Sequence, residues 1–183
     1  MNLSIAAERS RSPTLRAASV RVSRQLRASP ERVFDAWLDA AEARTVLAAG
    51  GIGHAIKVEI EARVGGRFRI VRRRHREDVE YSGEYLEIDR PYRLVFSLFV
   101  ERYAQWDDRV IVELAPVAGQ SLLVLTHELS LPSPAQRSRV QGGWARVVDA
   151  LVRQVLPAER RIRSGASPAR TGIAVRTTRR APG

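Results

Sequence analysis

The 183-residue sequence predicts an α+β domain in which a curved, seven-stranded antiparallel sheet wraps around a long C-terminal helix, with two short helices after the first strand. Three observations carry this. Between Val64 and Phe99 the chain reads Val-Gly-Gly-Arg-Phe-Arg-Ile and, later, Tyr-Ser-Gly-Glu-Tyr-Leu-Glu-Ile-Asp-Arg-Pro-Tyr-Arg-Leu-Val-Phe-Ser. Two glycines open a strand, a long alternating strand follows, and an Asp-Arg-Pro turn leads into a third. Second, Val140, Trp144, Val147, Val148, Leu151, Val152 and Val155 recur at spacings of three and four, the apolar stripe of a long helix. Third, Ser29-Pro30-Glu31 and Ser133-Pro134 each place a serine cap before a proline at the first helical position.

The elements follow in order. Val20 and Val22 alternate with polar neighbours between Ala18 and Arg27 and predict the first strand. Val33, Phe34, Trp37 and Leu38 then form one apolar helical face behind the Ser29 cap. Asp39, three residues before Glu42, predicts a capping box and a second short helix to about Ala49, ended by Gly50, Gly51 and Gly53. Ile56, Val58 and Ile60 alternate with Lys57, Glu59 and Glu61 as a half-buried strand. Gly65-Gly66 turns the chain into Phe68 and Ile70, with Arg67 and Arg69 on the other face. Residues 79–88, 93–100, 109–114 and 122–129 supply four more strands, the last two joined at Ala118-Gly119-Gln120. Gln136 is read as completing a box behind Ser133. The Gly142-Gly143 doublet is read as letting the long helix approach the sheet closely, at about 1 kcal/mol of helix propensity per glycine. Seven strands curling around one helix present a face wider than the helix, so a cavity is the expected by-product.

Composition narrows the function classes. The chain is long enough for one ordinary core, and no apolar run approaches the roughly 18 residues that cross a bilayer. The start, with Arg9, Arg11 and Arg16 but no apolar h-region, predicts no secretory signal. It is Arg- and Ser-bearing and acid-poor, a faint transit-peptide character, and residues 1–17 are read as a disordered extension. The absence of cysteine excludes disulfides, thiolate chemistry and Cys-based zinc sites, and a cytoplasmic location is the default. The net charge of +11 sits mostly on the ends. Residues 158–183 hold seven arginines against Glu159, among glycines and prolines, and are read as a disordered, solvated tail. With no aromatic residue interleaved to stack on bases, the tail predicts no specific nucleic-acid partner. The domain proper is therefore placed at residues 18–157.

Several short motifs then appear in one order: Ser29-Pro-Glu-Arg-Val-Phe-Asp-Ala-Trp-Leu-Asp39, Val64-Gly-Gly-Arg-Phe68, Gly83-Glu-Tyr-Leu-Glu-Ile-Asp-Arg-Pro91 with Arg93-Leu-Val-Phe96, Leu125-Thr-His-Glu128 and Gly142-Gly-Trp144. Together, over residues 20–156, they resemble the SRPBCC (START-like) proteins of the type homologous to the activator of heat-shock-protein-90 ATPase. The resemblance implies a helix-grip fold enclosing a hydrophobic pocket, in mostly small bacterial proteins. One departure lies in the second helix, where many members carry a Trp-Trp pair and this chain has Thr45-Val46-Leu47. The eukaryotic activators add a separate chaperone-binding domain that these residues are not expected to contain, so chaperone activation is not expected.

Candidate chemistry is sparse. His54, His75 and His127 fall on different elements without metal-ligand spacing, so no metal site is predicted. His75 lies in the run Arg72-Arg73-Arg74-His75-Arg76, read as a solvated strand end or loop. There is no Gly-x-Ser-x-Gly elbow and no phosphate-binding loop, and no cofactor is predicted. The catalytic candidates are His127, if its strand register turns it inward, with Tyr85 and Glu84; the last two point to opposite faces of one strand. Asp107 and Asp108 are acids beside Trp106, and a solvated position is the simpler reading. The sharper signal is aromatic: Trp37, Phe68, Tyr81, Tyr85, Phe96, Trp106 and Trp144 fall on elements that should line the hollow, where rings with polar handles suit an apolar ligand.

The sequence thus points to a module that binds a small hydrophobic molecule, as monomer or homodimer. Alternatives are a cyclase- or hydrolase-like enzyme using the same cavity, and an interaction protein using the basic tail. Read as a buried core residue, Trp144 changed to Ala should cost about 3–5 kcal/mol, measured by thermal or denaturant unfolding.

Overall fold

The structure, a computed structural model, describes residues 18–49, 54–74, 77–101, 108–130 and 133–156. The expected extension 1–17, the tail 158–183, the glycines at 50, 51 and 53, His75, Trp106 and Asp107 lie outside the described residues.

The elements run β1 (Ala18–Leu26), α1 (Pro30–Leu38), α2 (Ala40–Ala49), β2 (His54–Ile60), β3 (Arg67–Arg74), β4 (Glu77–Asp89), β5 (Arg93–Val100), β6 (Asp108–Val117), β7 (Gln120–Leu129) and α3 (Pro134–Val155). All seven strands join one antiparallel sheet in the order β1-β7-β6-β5-β4-β3-β2. Six strands form a meander from β2 to β7. The α1–α2 pair carries the chain from one edge of the sheet to the other, which leaves β1 to pair with β7. This is the helix-grip arrangement expected above, and no helix among the described residues is long and apolar enough to cross a membrane.

The helix starts carry the caps their sequences predict, but among the described residues neither Glu42 nor Gln136 completes its box with a side-chain bond back to the cap. Ser29 Oγ accepts from the Arg32 N–H at 3.4 Å and Ser133 Oγ from the Gln136 N–H at 3.1 Å, each before a proline that has no N–H to satisfy. Asp39 Oδ1 accepts from the Glu42 N–H at 2.8 Å. The reciprocal half of that box is absent, because the Asp39 N–H already closes α1 on Asp35 O at 3.0 Å. Glu42 instead forms an ion pair with Arg32 at 2.8 Å, which ties the two short helices together.

On the concave face, strand alternation aligns residues across the sheet. Val20 stands opposite His127, His127 opposite Val110, Val110 opposite Phe96, and Phe96 opposite Tyr85. All five are buried. A parallel row runs Val22, Leu125, Val112, Leu94. The turn at Gly65-Gly66 is locked onto this sheet: the Gly65 N–H donates to Tyr85 O at 2.8 Å and the Tyr85 N–H to Gly66 O at 2.9 Å. Gly65 has φ +75°, and a Cβ on Gly66 would overlap the carbonyl oxygens of Glu61 and Arg63, so both positions require glycine.

The long helix is not uniformly packed. Its buried residues, Val147, Val148, Ala150, Leu151 and Val155, all lie in the C-terminal half, against the core that includes Val22, Leu26, Leu123 and Leu125. The N-terminal half buries none. The expectation that the glycine doublet brings α3 tight onto the sheet is therefore corrected at Gly142. A Cβ there would meet only the Arg146 guanidinium, at an ordinary 3.6 Å. With helical backbone and open space, Gly142→Ala should stabilise the protein by about 1 kcal/mol, seen as a raised unfolding midpoint.

Candidate functional site

Where α3 stands off, a cavity of about 350 Å³ lies between it and the sheet. Its walls are the concave faces of β2 to β7, its cover is α1, α2 and the face of α3 from Gln136 to Leu151, and most of its lining side chains are apolar. The structure brings Trp37 from α1, Phe68 from β3, Tyr81 and Tyr85 from β4, Phe96 from β5 and Trp144 from α3 to this one space, with His127 from β7. The pleat explains the set: Phe68 and Ile70, and Tyr81 and Tyr85, fall on the face that β3 and β4 share, as the pairings Phe68 with Gly83 and Ile70 with Tyr81 require. Trp106 lies outside the described residues. Glu84 is not brought to the cavity: it stands opposite Arg67 on the other face, its N–H donating to Ser97 Oγ at 3.0 Å.

The aromatic rings pack as two groups. Phe68, Tyr85 and Phe96 contact one another at centroid distances of 5.4–6.3 Å, with both contacts to Phe96 edge-on. Phe68 reaches this position because it lies over Gly83, where a Cβ would overlap its ring. Burial drives the Tyr85 hydroxyl well above the usual tyrosine range, so it is held as a neutral phenol. At the other end Trp37 and Trp144 lie 6.4 Å apart.

His127 sits between these groups and is 3% exposed. The Trp144 Nε1–H donates to His127 Nδ1 at 2.9 Å, and His127 Nε2 lies 3.2 Å from Asp108 Oδ2. An indole nitrogen only donates, so Nδ1 must carry the lone pair and Nε2 the hydrogen that goes to Asp108. Asp108 Oδ1 accepts in turn from the Ser130 N–H at 2.9 Å. His127 is inward, as one of its two registers allows, and shares a face with Leu125 and Leu129. Both of its ring nitrogens are engaged, which leaves no basic lone pair facing the cavity. Asp108, read from sequence as a solvated loop acid, instead opens β6 and anchors this chain.

One residue escaped the sequence reading. Arg72 lies in a run whose sequence predicts a solvated strand end, yet it is 4% exposed and lines the cavity. The signal was present: Phe68, Ile70 and Arg72 share parity on one strand. The run of neighbouring arginines masked it. Arg73 does point outward, paired with Asp78 at 2.8 Å. Arg72 donates Nη2 to Leu47 O, its Cζ lies 5.9 Å from the Tyr81 ring centroid, and its buried Nε has no partner. Burial lowers its pKa from the usual arginine value, and nearby Arg146 acts in the same direction against a raising influence of Tyr81. Trp37 Nε1 is a second buried donor without a partner. Val46 and Leu47, standing where the resemblance implies a tryptophan pair, also line the space. Among the described residues no cluster of His, Asp and Glu could hold a metal ion.

Residues 27–155 match the family model described as Activator of Hsp90 ATPase homolog 1-like protein. Protein CV1439 from Chromobacterium violaceum has a similar structure, with a TM-score of 0.67 at 25% identity over 76% of this chain and 97% of that one. The AHSA1-like protein from Aeromonas hydrophila gives a TM-score of 0.62 at 21% identity, covering 83% and 99%. CalU16 from Micromonospora echinospora gives 0.58 at 23% identity, covering 80% and 81%. No curated protein matches the chain.

Trp144 is only half-buried, its ring flanked by the cavity, so the expectation of full burial is corrected. Trp144→Ala should cost about 2 kcal/mol rather than the value for a closed core. Trp144→Phe keeps most of the ring area but strands His127 Nδ1, and should cost about 1 kcal/mol in denaturant unfolding, less than the Ala variant. An unchanged midpoint for the Phe variant would show that the indole hydrogen bond contributes nothing.

Proposed function

Because the chain belongs to the Activator of Hsp90 ATPase homolog 1-like family, part of the SRPBCC superfamily, we propose that it is a binding module that takes a small, largely apolar molecule into the cavity beneath α3. The observation that carries this reading is the cavity itself. Its volume falls in the range of small-molecule sites, and its aromatic walls offer apolar area with few polar groups. Unlike a packing defect, it is bounded by two indoles and three mutually packed rings from five different elements.

The binding reading draws more support than catalysis in the same space. Of the three catalytic candidates, His127 has both nitrogens engaged, Tyr85 is held neutral by burial, and Glu84 faces away. A general base needs a free lone pair within reach of a substrate proton.

The test is occupancy by an uncharged probe. N-Phenylnaphthylamine should bind saturably with enhanced fluorescence, and Gly143→Leu, which projects a side chain from a cavity-lining position of α3, should weaken binding about tenfold or more while the protein stays folded. Native mass spectrometry of the freshly purified protein should also find an adduct that organic extraction removes. A probe that does not bind, or binds the Leu variant equally well, would overturn the reading.

A further inference from the structure

The cavity is apolar in area but not neutral. Three arginines line it, Arg72, Arg139 and Arg146, against the single carboxylate of Asp108, which is already committed to His127 and Ser130. Arg72 is the member that decides the chemistry. A guanidinium carries five N–H donors, and among the described residues this one has a single hydrogen-bonded acceptor, the Leu47 carbonyl, in a setting only 4% exposed. Its Cζ also lies over the Tyr81 ring face, and no carboxylate among the described residues pairs with it. Burying an unpaired cation is costly, and structural arginines of this depth are normally matched by an acid. Two exposed arginines of β3 do find an acid on β4, Arg69 with Glu80 and Arg73 with Asp78. Opposite Arg72 stands Val79.

Arg146 adds to the imbalance. It lines the same cavity from an exposed position on α3, lies close enough to disfavour the charge on Arg72, and makes no ion pair among the described residues. Two like charges at one end of an apolar space are relieved together by one anion. From Arg72, β3 runs past Ile70 to Phe68, about 13 Å at the usual strand rise, and ends at the trio of rings. The polar end and the apolar depth of the cavity are therefore separated along one strand.

Resting on the binding reading above, we propose that the cavity's ligand is a hydrophobic carboxylic acid, its carboxylate seated on Arg72 and its apolar body directed toward Phe68 and Phe96. The planar guanidinium fork suits a carboxylate better than any uncharged head group, and the low-polarity surroundings strengthen the pair.

A matched pair of probes tests this: decanoate and decan-1-ol, which share an apolar chain and differ in the charged head. Binding to the full chain is followed by tryptophan fluorescence, which Trp37 and Trp144 at the cavity should report. The wild type should bind decanoate about tenfold or more tighter than decanol. Arg72→Met should erase that preference by weakening decanoate while leaving decanol within about twofold. Arg72→Lys should recover part of it, as a point charge without the fork. Equal affinities for the two probes in the wild type would overturn the acid proposal while leaving the binding reading intact. A preference for decanoate that survives Arg72→Met would likewise overturn the assignment to Arg72. If neither probe binds the wild type, the binding reading falls and the proposal with it. Should the Met variant fail to fold, the wild-type ratio and the Lys variant still decide.

Discussion

One helix cannot cover the concave face of seven curved strands, and the rest of the molecule is arranged around that mismatch. The chain resolves it asymmetrically. The C-terminal half of α3 closes on the β1 side of the sheet, burying Val147, Val148, Leu151 and Val155 in the core. The N-terminal half stands off over the other side, and α1 and α2 fill in as a partial roof. The cavity follows from geometry: helix diameter and sheet curvature leave space that only side chains or a ligand can occupy.

A helix standing off a sheet needs something to hold its height, and the Trp144–His127–Asp108 chain supplies it. The indole spans from α3 to β7, the imidazole passes the contact to β6, and the carboxylate ends on the Ser130 backbone beyond β7. Each member is satisfied by the next, which is the condition under which buried polar groups order a structure rather than weaken it. His127 thereby acquires a structural task that competes with any acid–base role, since the same lone pair cannot serve both.

Arg72 is the counter-example in the same space. Among the described residues its surroundings provide one carbonyl and one ring face, and its buried Nε has no partner. A satisfied network and a buried cation with unused donors thus line the same cavity. Departures from local consistency of this kind concentrate at functional sites, because packing alone would remove them.

The sequence by itself determined the elements and their order. Ser-Pro starts, alternation on six strands and a three-four stripe on α3 are local patterns, and local backbone preference is enough to read them. It also selected most of the cavity's rings, since strand parity assigns Phe68, Tyr81, Tyr85 and Phe96 to one face once any of them is inward. The tertiary structure alone decided what depends on partners distant in the chain. Asp108 became a buried anchor only because β6 and β7 bring it to His127 and Ser130. The capping box at Asp39 lost its second half because α1 ends on the same N–H. Gly142 proved open because α3 does not lie flat. Arg72 turned inward under a neighbouring helix, while the arginine next to it in sequence paired on the outside. Periodicity tells which residues share a face; what that face meets, and whether a charge there finds a partner, is set by contacts between segments that no local pattern encodes.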